Sequence, residues 1–380
     1  MPRRLILLSS FEFMEERLLG QGIVVSALNF GSQAASYTPL MPVSFSISAS
    51  DYHTEGEPFR IVSSGLPDLK GETVLDKRSF AQTSLELEQI RQLLVNEPRG
   101  HADMYGGFIT EPNDSGADFG VLFWHGDGYS TACGHGTIAL GAWAVESGLV
   151  TSSDDSTTPV TIDVPSGRVR AVVTKSGGQI TRITFQNVLS HTVATGVNLK
   201  LGDGREVKVD IAYGGANYAI LEASSLGLSV EPEHLDELIR LGREIKWALN
   251  NSAEAQSQGD SRLNGIYGTI FFDRLQATDS TIHDRNVTIY ADGRVDRSPC
   301  GSGTAARIAQ LHHLGQMGPD TLLLHDSIVG TRFEGRIATS PAPSAEHGVV
   351  PEISGNSWLM AESSFILSDS DPLPSGFSLR

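Results

Sequence analysis

Cys-Gly-His-Gly-Thr at residues 133–137 and Cys-Gly-Ser-Gly-Thr at residues 300–304 are two copies of one short pattern, 167 residues apart. At the same offset three further pairs match, namely Ala139 with Ala306, Ala142 with Ala309 and Gly148 with Gly315. Alanine favours helix, and glycine favours the turns that bound a helix. The repeat therefore predicts two halves of similar fold, each with a cysteine at the N-terminus of a helix.

The position of the two cysteines at helix N-termini predicts a site that stabilises negative charge. Free backbone N–H groups and the helix dipole favour negative charge at a helix N-terminus. A cysteine there is expected to have its pKa lowered from about 8.5 towards neutrality. The structural alternative is a duplicated turn with two inert, packed cysteines. That alternative does not explain why the glycine-rich helix start accompanies Cys133 and Cys300 alike, so we favour a catalytic pair.

Charge and composition exclude several classes of protein. A formal net charge of −17 argues against binding to nucleic acid or to a membrane surface, because both need basic patches. No apolar run reaches the ~18 residues that span a bilayer. Two cysteines form no disulfide framework, and no Cys-x-x-Cys or His-Glu-x-x-His spacing provides a structural zinc site. We expect a cytoplasmic protein of about two domains, at roughly 150 residues per domain.

The pattern of elements favours an α+β fold. Apolar residues at helical spacing predict helices over residues 85–95 and 234–249. A buried strand is predicted at residues 121–124, and a strand, turn and strand at residues 160–173. Strands outnumber long helices and no strict βαβ order occurs, which argues against a doubly wound sheet.

The two ends of the chain give weaker signals. Residues 1–47 match neither the helix pattern nor the strand pattern. They are expected to form an extension outside the folded core, with disorder as one alternative. Residues 340–355 are rich in Pro, Ser and Gly and predict a surface loop. Residues 365–373 predict a closing strand.

Four motifs in order resemble those of the proline racemase family. They are Asp-Tyr-His-Thr-Glu-Gly-Glu-Pro at 51–58, the stretch at 97–106, Cys-Gly-His-Gly at 133–136, and the stretch at 296–303. The resemblance covers most of the chain from Asp51 onward. The family includes proline racemases, 4-hydroxyproline 2-epimerases and trans-3-hydroxy-L-proline dehydratases.

The resemblance implies a fold similar to that of diaminopimelate epimerase, with two α/β halves around a central cleft. The first half would comprise residues 48–200 and 357–380 and carry Cys133. The second half would comprise residues 201–356 and carry Cys300. The resemblance also implies a small-molecule substrate, proline or hydroxyproline, and an enzyme that needs neither pyridoxal phosphate nor a metal. A homodimer is an expectation of the same kind.

The resemblance further implies roles for individual residues. Cys133 and Cys300 would be the two bases. The substrate carboxylate would be held by Gly134, His135, Gly301 and Ser302, largely through backbone N–H groups, and the ring nitrogen by Asp296. Ala132 stands where the family usually has methionine, which leaves the substrate range open. Of the other residues, Tyr105 and Phe272 are candidates for the pocket wall or, as the structural alternative, for the core. Glu57, Arg99 and His101 are candidates for a buried network that shapes the cleft.

The subfamily signals point in two directions. Both bases are cysteine, as in racemases and epimerases, whereas dehydratases often carry threonine at the position of Cys300. The stretches at residues 128–131, 266–270 and 364–373 resemble the dehydratases instead. The catalytic pair limits the possible chemistry, so we favour racemisation or epimerisation at C2, with dehydration of trans-3-hydroxy-L-proline as the alternative. A protein that binds a small amino acid without turnover is a third alternative.

Overall fold

Strands dominate the part of the chain that the structure, a computed structural model, describes: residues 45–256, 259–278, 280–338 and 348–379. The α-helices in these residues are α1 (Val74–Ala81), α2 (Leu85–Val95), α3 (Gly134–Glu146), α4 (Leu235–Leu249) and α5 (Gly301–His313). The strands are β1 (Phe45–Thr54), β2 (Glu57–Ser64), β3 (Tyr105–Thr110), β4 (Phe119–His125), β5 (Gly128–Tyr129), β6 (Ser156–Val164), β7 (Gly167–Ser176), β8 (Gln179–Gln186), β9 (His191–Lys200), β10 (Glu206–Tyr213), β11 (Asn217–Glu222), β12 (Ile266–Ala277), β13 (Thr281–Tyr290), β14 (Arg294–Asp296), β15 (Leu322–Ser327), β16 (Arg332–Ile337), β17 (Pro351–Gly355) and β18 (Ser357–Leu367).

The strands are joined by hydrogen bonds into one continuous network. β1 pairs antiparallel with β2 and β18, and β2 pairs parallel with β3. The pairing continues from β3 through β4, β6 and β7 to β8, which pairs with β17. From β17 it continues through β16, β15, β13, β12 and β11 to β10 and β9. Most of these pairs are antiparallel, so the predicted α+β class is confirmed.

Helices α3 and α5 are the two buried helices, and they come from the sequence repeat. Each is 13 residues long and has its cysteine as the N-cap residue. Every residue from Gly134 to Val145 and from Gly301 to Leu311 is buried. α3 packs against β1, β7 and β8, and α5 packs against β9, β10 and β17. The small side chains at the repeat allow strands to surround both helices closely.

The outer helices and the paired strands agree with the sequence prediction. α2 has the predicted bounds, and α4 begins one residue late because residues 232–234 form a 3₁₀ turn. α4 places Leu238, Leu241 and Ile245 in a core against β12 and β13. The predicted strand, turn and strand at 160–173 correspond to β6 and β7.

Two predictions near the C-terminus are wrong in part. The predicted loop at 340–355 contains strand β17, which pairs with β16 on one side and with β8 on the other. Residues 340–347 of that loop lie outside the described residues. The closing strand ends at Leu367, not at residue 373. Leu367 pairs with Phe45, the first residue that the structure describes, so the pairing of β18 with β1 is described only up to there.

The boundaries predicted from the resemblance stay predictions. Residues 1–44 of the expected extension lie outside the described residues, while the sheet already begins at Phe45 and Ile47 is buried. β9 pairs with β10 across the predicted boundary at residue 200. Across the described residues, no helix has both the length and the apolar character needed to cross a membrane.

Candidate active site

The N-termini of α3 and α5 touch each other through two glycines. A Cβ added to Gly134 would lie 2.5 Å from the Cα of Gly301, and one added to Gly301 would lie 2.6 Å from the Cα of Gly134. Real Cβ atoms do not approach other atoms so closely, so only glycine allows the two backbones to meet here. This contact brings the two N-cap residues, Cys133 and Cys300, to one place.

A small cavity of about 10 Å³ lies between the two cysteines. This volume is about that needed by a single water molecule, so the walls must move apart before a ring substrate can lie between the two sulfurs. Cys133 is 4% exposed and Cys300 is 5% exposed. The residues lining the cavity are Tyr105, Ala132, Cys133, His135, Tyr218, Tyr267, Tyr290, Asp296, Cys300 and Ser302. The predicted site residues Cys133, His135, Asp296, Cys300 and Ser302 are therefore brought together, with Gly134 and Gly301 at the adjoining helix starts.

The Cys133 sulfur takes the place of a capping oxygen at the start of α3. The backbone N–H of Gly136 donates to Sγ at 3.3 Å, and Nδ1 of His135 lies 3.5 Å from the same atom. Burial raises the pKa of the Cys133 thiol well above its ordinary value, and the Gly136 N–H lowers it by less. The lowered pKa expected from the helix terminus is thus wrong for this closed site, because burial outweighs the helix-end donor.

Cys300 is held in a strained backbone conformation. Its φ is +62°, in the left-handed region that residues other than glycine seldom adopt, at a cost of about 1–3 kcal/mol. The Ser298 hydroxyl accepts from the Cys300 N–H at 3.1 Å, and the Thr304 N–H donates to the Cys300 carbonyl at 2.6 Å. Burial first, and then the nearby Asp296 carboxylate, raise the pKa of the Cys300 thiol. Sequence reasoning did not identify Ser298; its only signal is the spacing Asp-x-Ser-x-Cys.

Asp296 presents a carboxylate at the end of β14, where it is 3% exposed. Its Oδ1 accepts from the Ser298 hydroxyl at 2.7 Å and from the Ser298 N–H at 2.9 Å. Burial raises the pKa of Asp296 to about 6. Its Oδ2 lies 3.8 Å from Nδ1 of His135, whose pKa burial lowers to about 3, so this contact is no ion pair at neutral pH. Asp296 therefore supplies a negative charge to the cavity at pH 7.

Four tyrosines form the rest of the wall, and only Tyr105 among them was a sequence candidate. The Tyr105 hydroxyl bonds the Tyr267 hydroxyl at 2.8 Å and also contacts the Ser130 hydroxyl. The Tyr218 and Ser302 hydroxyls bond each other at 2.7 Å. Tyr290 stacks on Tyr267 with 5.8 Å between ring centroids. The cavity wall is thus aromatic with several phenolic hydroxyl groups, which can bind both an apolar ring and a hydroxyl on it.

The remaining sequence candidates differ in where they lie relative to the cavity. Glu57 is fully buried and accepts from the Arg297 side chain at 2.7 Å, next to Asp296, as expected for a network that shapes the cleft. Arg99 pairs with Asp371 instead. Phe272 does not line this cavity. It packs beneath the Arg307 guanidinium, whose Cζ lies 3.6 Å from the centroid of the Phe272 ring. No set of three or more His, Cys, Asp or Glu in the described ranges is arranged to hold a metal ion.

The chain resembles known proteins over most of its length. The family model described as Proline racemase matches residues 49–378. A trans-3-hydroxy-L-proline dehydratase of Bacillus cereus is 40% identical over 339 residues, which are 89% of this chain and 100% of that protein. A 3-hydroxyproline 2-epimerase of Burkholderia multivorans is 40% identical over 340 residues, 90% of this chain and 100% of that protein.

The fold comparison agrees with the sequence comparison. The crystal structure of a hydroxyproline epimerase from Agrobacterium vitis, with bound trans-4-hydroxy-L-proline, matches with a TM-score of 0.78. It is 28% identical, and the match covers 88% of this chain and 96% of that one. The matched family model spans both cysteine motifs and nearly all of the described residues. The chain therefore belongs to the proline racemase family.

Proposed function

We propose that this protein is a cofactor-independent enzyme that removes the Cα proton of a hydroxyproline and inverts the configuration at C2. The observation that carries the proposal is the meeting of two helix N-termini, each with a cysteine at its N-cap position, at one small cavity that also holds Asp296. A site for anion binding alone would not need two thiols, since serine would serve equally well as an N-cap.

Different groups of the site bind the carboxylate and the ammonium of the amino acid. The carboxylate binds at the helix starts, where the backbone N–H groups of Gly134, His135, Gly301 and Ser302 are the donors. Asp296 accepts hydrogen bonds from the ring ammonium group. The ammonium charge also favours the thiolate over the thiol at the neighbouring cysteines, which offsets the effect of burial on their pKa.

Inversion needs an acid and a base on opposite faces of Cα. One cysteine, as thiolate, takes the Cα proton, and negative charge develops on the carboxylate, where the helix-end N–H groups stabilise it. The other cysteine, as thiol, delivers its proton to the opposite face. The product has inverted configuration at C2, and the two cysteines have exchanged protonation states.

A hydroxyl at ring carbon 3 reconciles the two subfamily signals. The cysteine pair favours epimerisation, whereas the wider sequence resembles dehydratases that act on a 3-hydroxyproline. The Burkholderia multivorans relative is named for both features, epimerisation at C2 and a 3-hydroxyl. We therefore propose trans-3-hydroxy-L-proline as the substrate and cis-3-hydroxy-D-proline as the product.

Dehydration is the second candidate, favoured by the name of the Bacillus cereus relative. After proton removal from Cα, the electron pair forms a double bond to C3, the C3–O bond breaks, and the hydroxyl leaves as water after taking a proton. The phenols of Tyr105 and Tyr267 are the candidate proton donors in the wall. The cytoplasmic location and the homodimer stay predictions.

Incubation in D₂O tests the proposal. The enzyme is mixed with L-proline, trans-4-hydroxy-L-proline and trans-3-hydroxy-L-proline separately, and Cα exchange and products are followed by proton NMR and chiral chromatography. We expect deuterium at Cα and the C2 epimer of the 3-hydroxy compound. An unsaturated ring product would favour dehydration. Neither exchange nor product from any of the three would support a binding protein instead.

A further inference from the structure

A second, larger cavity lies beside the catalytic cavity. This outer cavity has a volume of about 660 Å³, is open to solvent, and shares one wall residue, Tyr267, with the catalytic cavity. Part of Tyr267 remains exposed, while its hydroxyl is bonded to Tyr105 inside the protein. Tyr267 therefore separates the outer cavity from the two cysteines.

Most charges lining the outer cavity are already neutralised by partners. These pairs are Glu88 with Arg91, Asp127 with Arg294, Asp292 with Arg243, and Arg262 with Asp260. The three acidic residues of the wall are all in this set. A negatively charged group that enters the outer cavity thus meets acids whose charge is largely compensated.

Two cations of the wall, Arg78 and Lys246, have no carboxylate within 4.0 Å among the described residues, although Asp292 and Asp127 act on the Lys246 ammonium from farther away. Arg78 donates to backbone carbonyls only, through Nε and Nη2 to Tyr129 and through Nη1 to Arg262. A guanidinium has five N–H donors, so donors remain for a further acceptor. Lys246 is 7% exposed, and its ammonium lies 3.5 Å from the centroid of the Trp247 ring.

We propose that the outer cavity is a second binding site, which takes a small carboxylate through Arg78 and Lys246 before the substrate passes Tyr267 to the cysteines. This inference rests on the proposed function for the identity of the carboxylate. The proposed substrate carries a carboxylate and a ring ammonium and has no net charge, so the formal net charge of −17 does not steer it and local contacts decide where it binds. Arg78 and Lys246 at the access route would bind its carboxylate and so raise its concentration beside Tyr267.

Kinetics with Lys246→Met test the proposal, because methionine keeps the apolar stem and removes the charge. We expect kcat/KM for trans-3-hydroxy-L-proline to fall about tenfold, with kcat within about twofold of wild type, since the site acts before the chemistry. The fall should shrink as salt is added. Lys200→Met, which removes one exposed charge on β9, is the matched control and should change neither constant. Equal kcat/KM for Lys246→Met and wild type would overturn the proposal.

A binding measurement separates this proposal from the proposed function. Sodium acetate is titrated into the protein while tryptophan fluorescence is recorded, because Trp247 lies directly beneath the Lys246 ammonium. We expect a saturable change in wild type, a weaker affinity in Lys246→Met and no change in Trp247→Phe. This result would support the site even if no hydroxyproline were turned over. A titration with no saturable change in wild type would reject the site while leaving the proposed function standing.

Discussion

Replacing Cys300 by serine is expected to abolish inversion at C2, with a loss of at least about 10³-fold in the rate of epimer formation. A serine hydroxyl is far less acidic than a thiol, so it delivers a proton to the carbanion poorly and forms an alkoxide base still less readily. Cys133 keeps its place as the N-cap of α3 and its Gly136 contact, so proton removal on its own face can persist. Chiral chromatography of the product measures inversion, and deuterium at Cα measures exchange.

The Cys300→Ser variant distinguishes the two candidate functions. An epimerase should lose the C2 epimer while some Cα exchange remains. A dehydratase needs no second base, so water elimination from trans-3-hydroxy-L-proline should survive the substitution. Cys133→Ser is the matched variant on the other face. Inversion by Cys300→Ser at the wild-type rate would refute the two-base mechanism.

Asp296→Asn is expected to lower kcat/KM by about 10²-fold or more. The substitution keeps the size of the side chain but removes the charge that holds the ring ammonium. A buried hydrogen bond to a charged group is worth about 1.5–3 kcal/mol, and loss of the ammonium contact also makes Cα less acidic. The amide oxygen can still accept from Ser298, so the melting temperature should stay close to that of wild type. Steady-state kinetics and thermal unfolding provide the two measurements.

The dependence of kcat/KM on pH is a second, independent test of the role of Asp296. The pKa of Asp296 is about 6 because of burial, so below that pH the carboxyl becomes neutral and kcat/KM should fall. On the alkaline side kcat/KM should rise, because the raised pKa of both thiols leaves little thiolate at neutral pH. In Asp296→Asn the fall near pH 6 should disappear. Asp114→Asn is the control, because Asp114 is an exposed aspartate paired with Arg168, and this variant should keep the full pH profile. A well-folded Asp296→Asn protein with normal kcat/KM would show that another group binds the ring nitrogen.

The sequence repeat predicted the centre of the molecule because its signals are local. Helix-forming alanines and a glycine start are adjacent in the chain, so α3, α5 and the N-cap positions of Cys133 and Cys300 could be predicted without tertiary contacts. The same holds for α2, whose apolar spacing lies within one helix.

The rest depends on contacts between distant segments. Tyr218, Tyr267 and Tyr290 lie on three different strands, and only the pairing of β11, β12 and β13 brings them to one cavity. β17 looks like a loop by composition and becomes a strand because β16 and β8 flank it. The direction of the thiol pKa shifts was missed for the same reason, since burial comes from the packing of the whole site and not from the helix end.

Alkylation of the wild-type enzyme tests most directly whether both cysteines serve one substrate site. Because the chain has two cysteines, every thiol labelled by iodoacetamide is Cys133 or Cys300. The label is located by mass spectrometry, and residual Cα exchange is measured on the same samples, with and without trans-3-hydroxy-L-proline. We predict that activity falls in step with labelling and that the substrate slows labelling of both cysteines. Labelled protein that keeps full exchange activity, or labelling that saturating substrate leaves unchanged, would contradict the account.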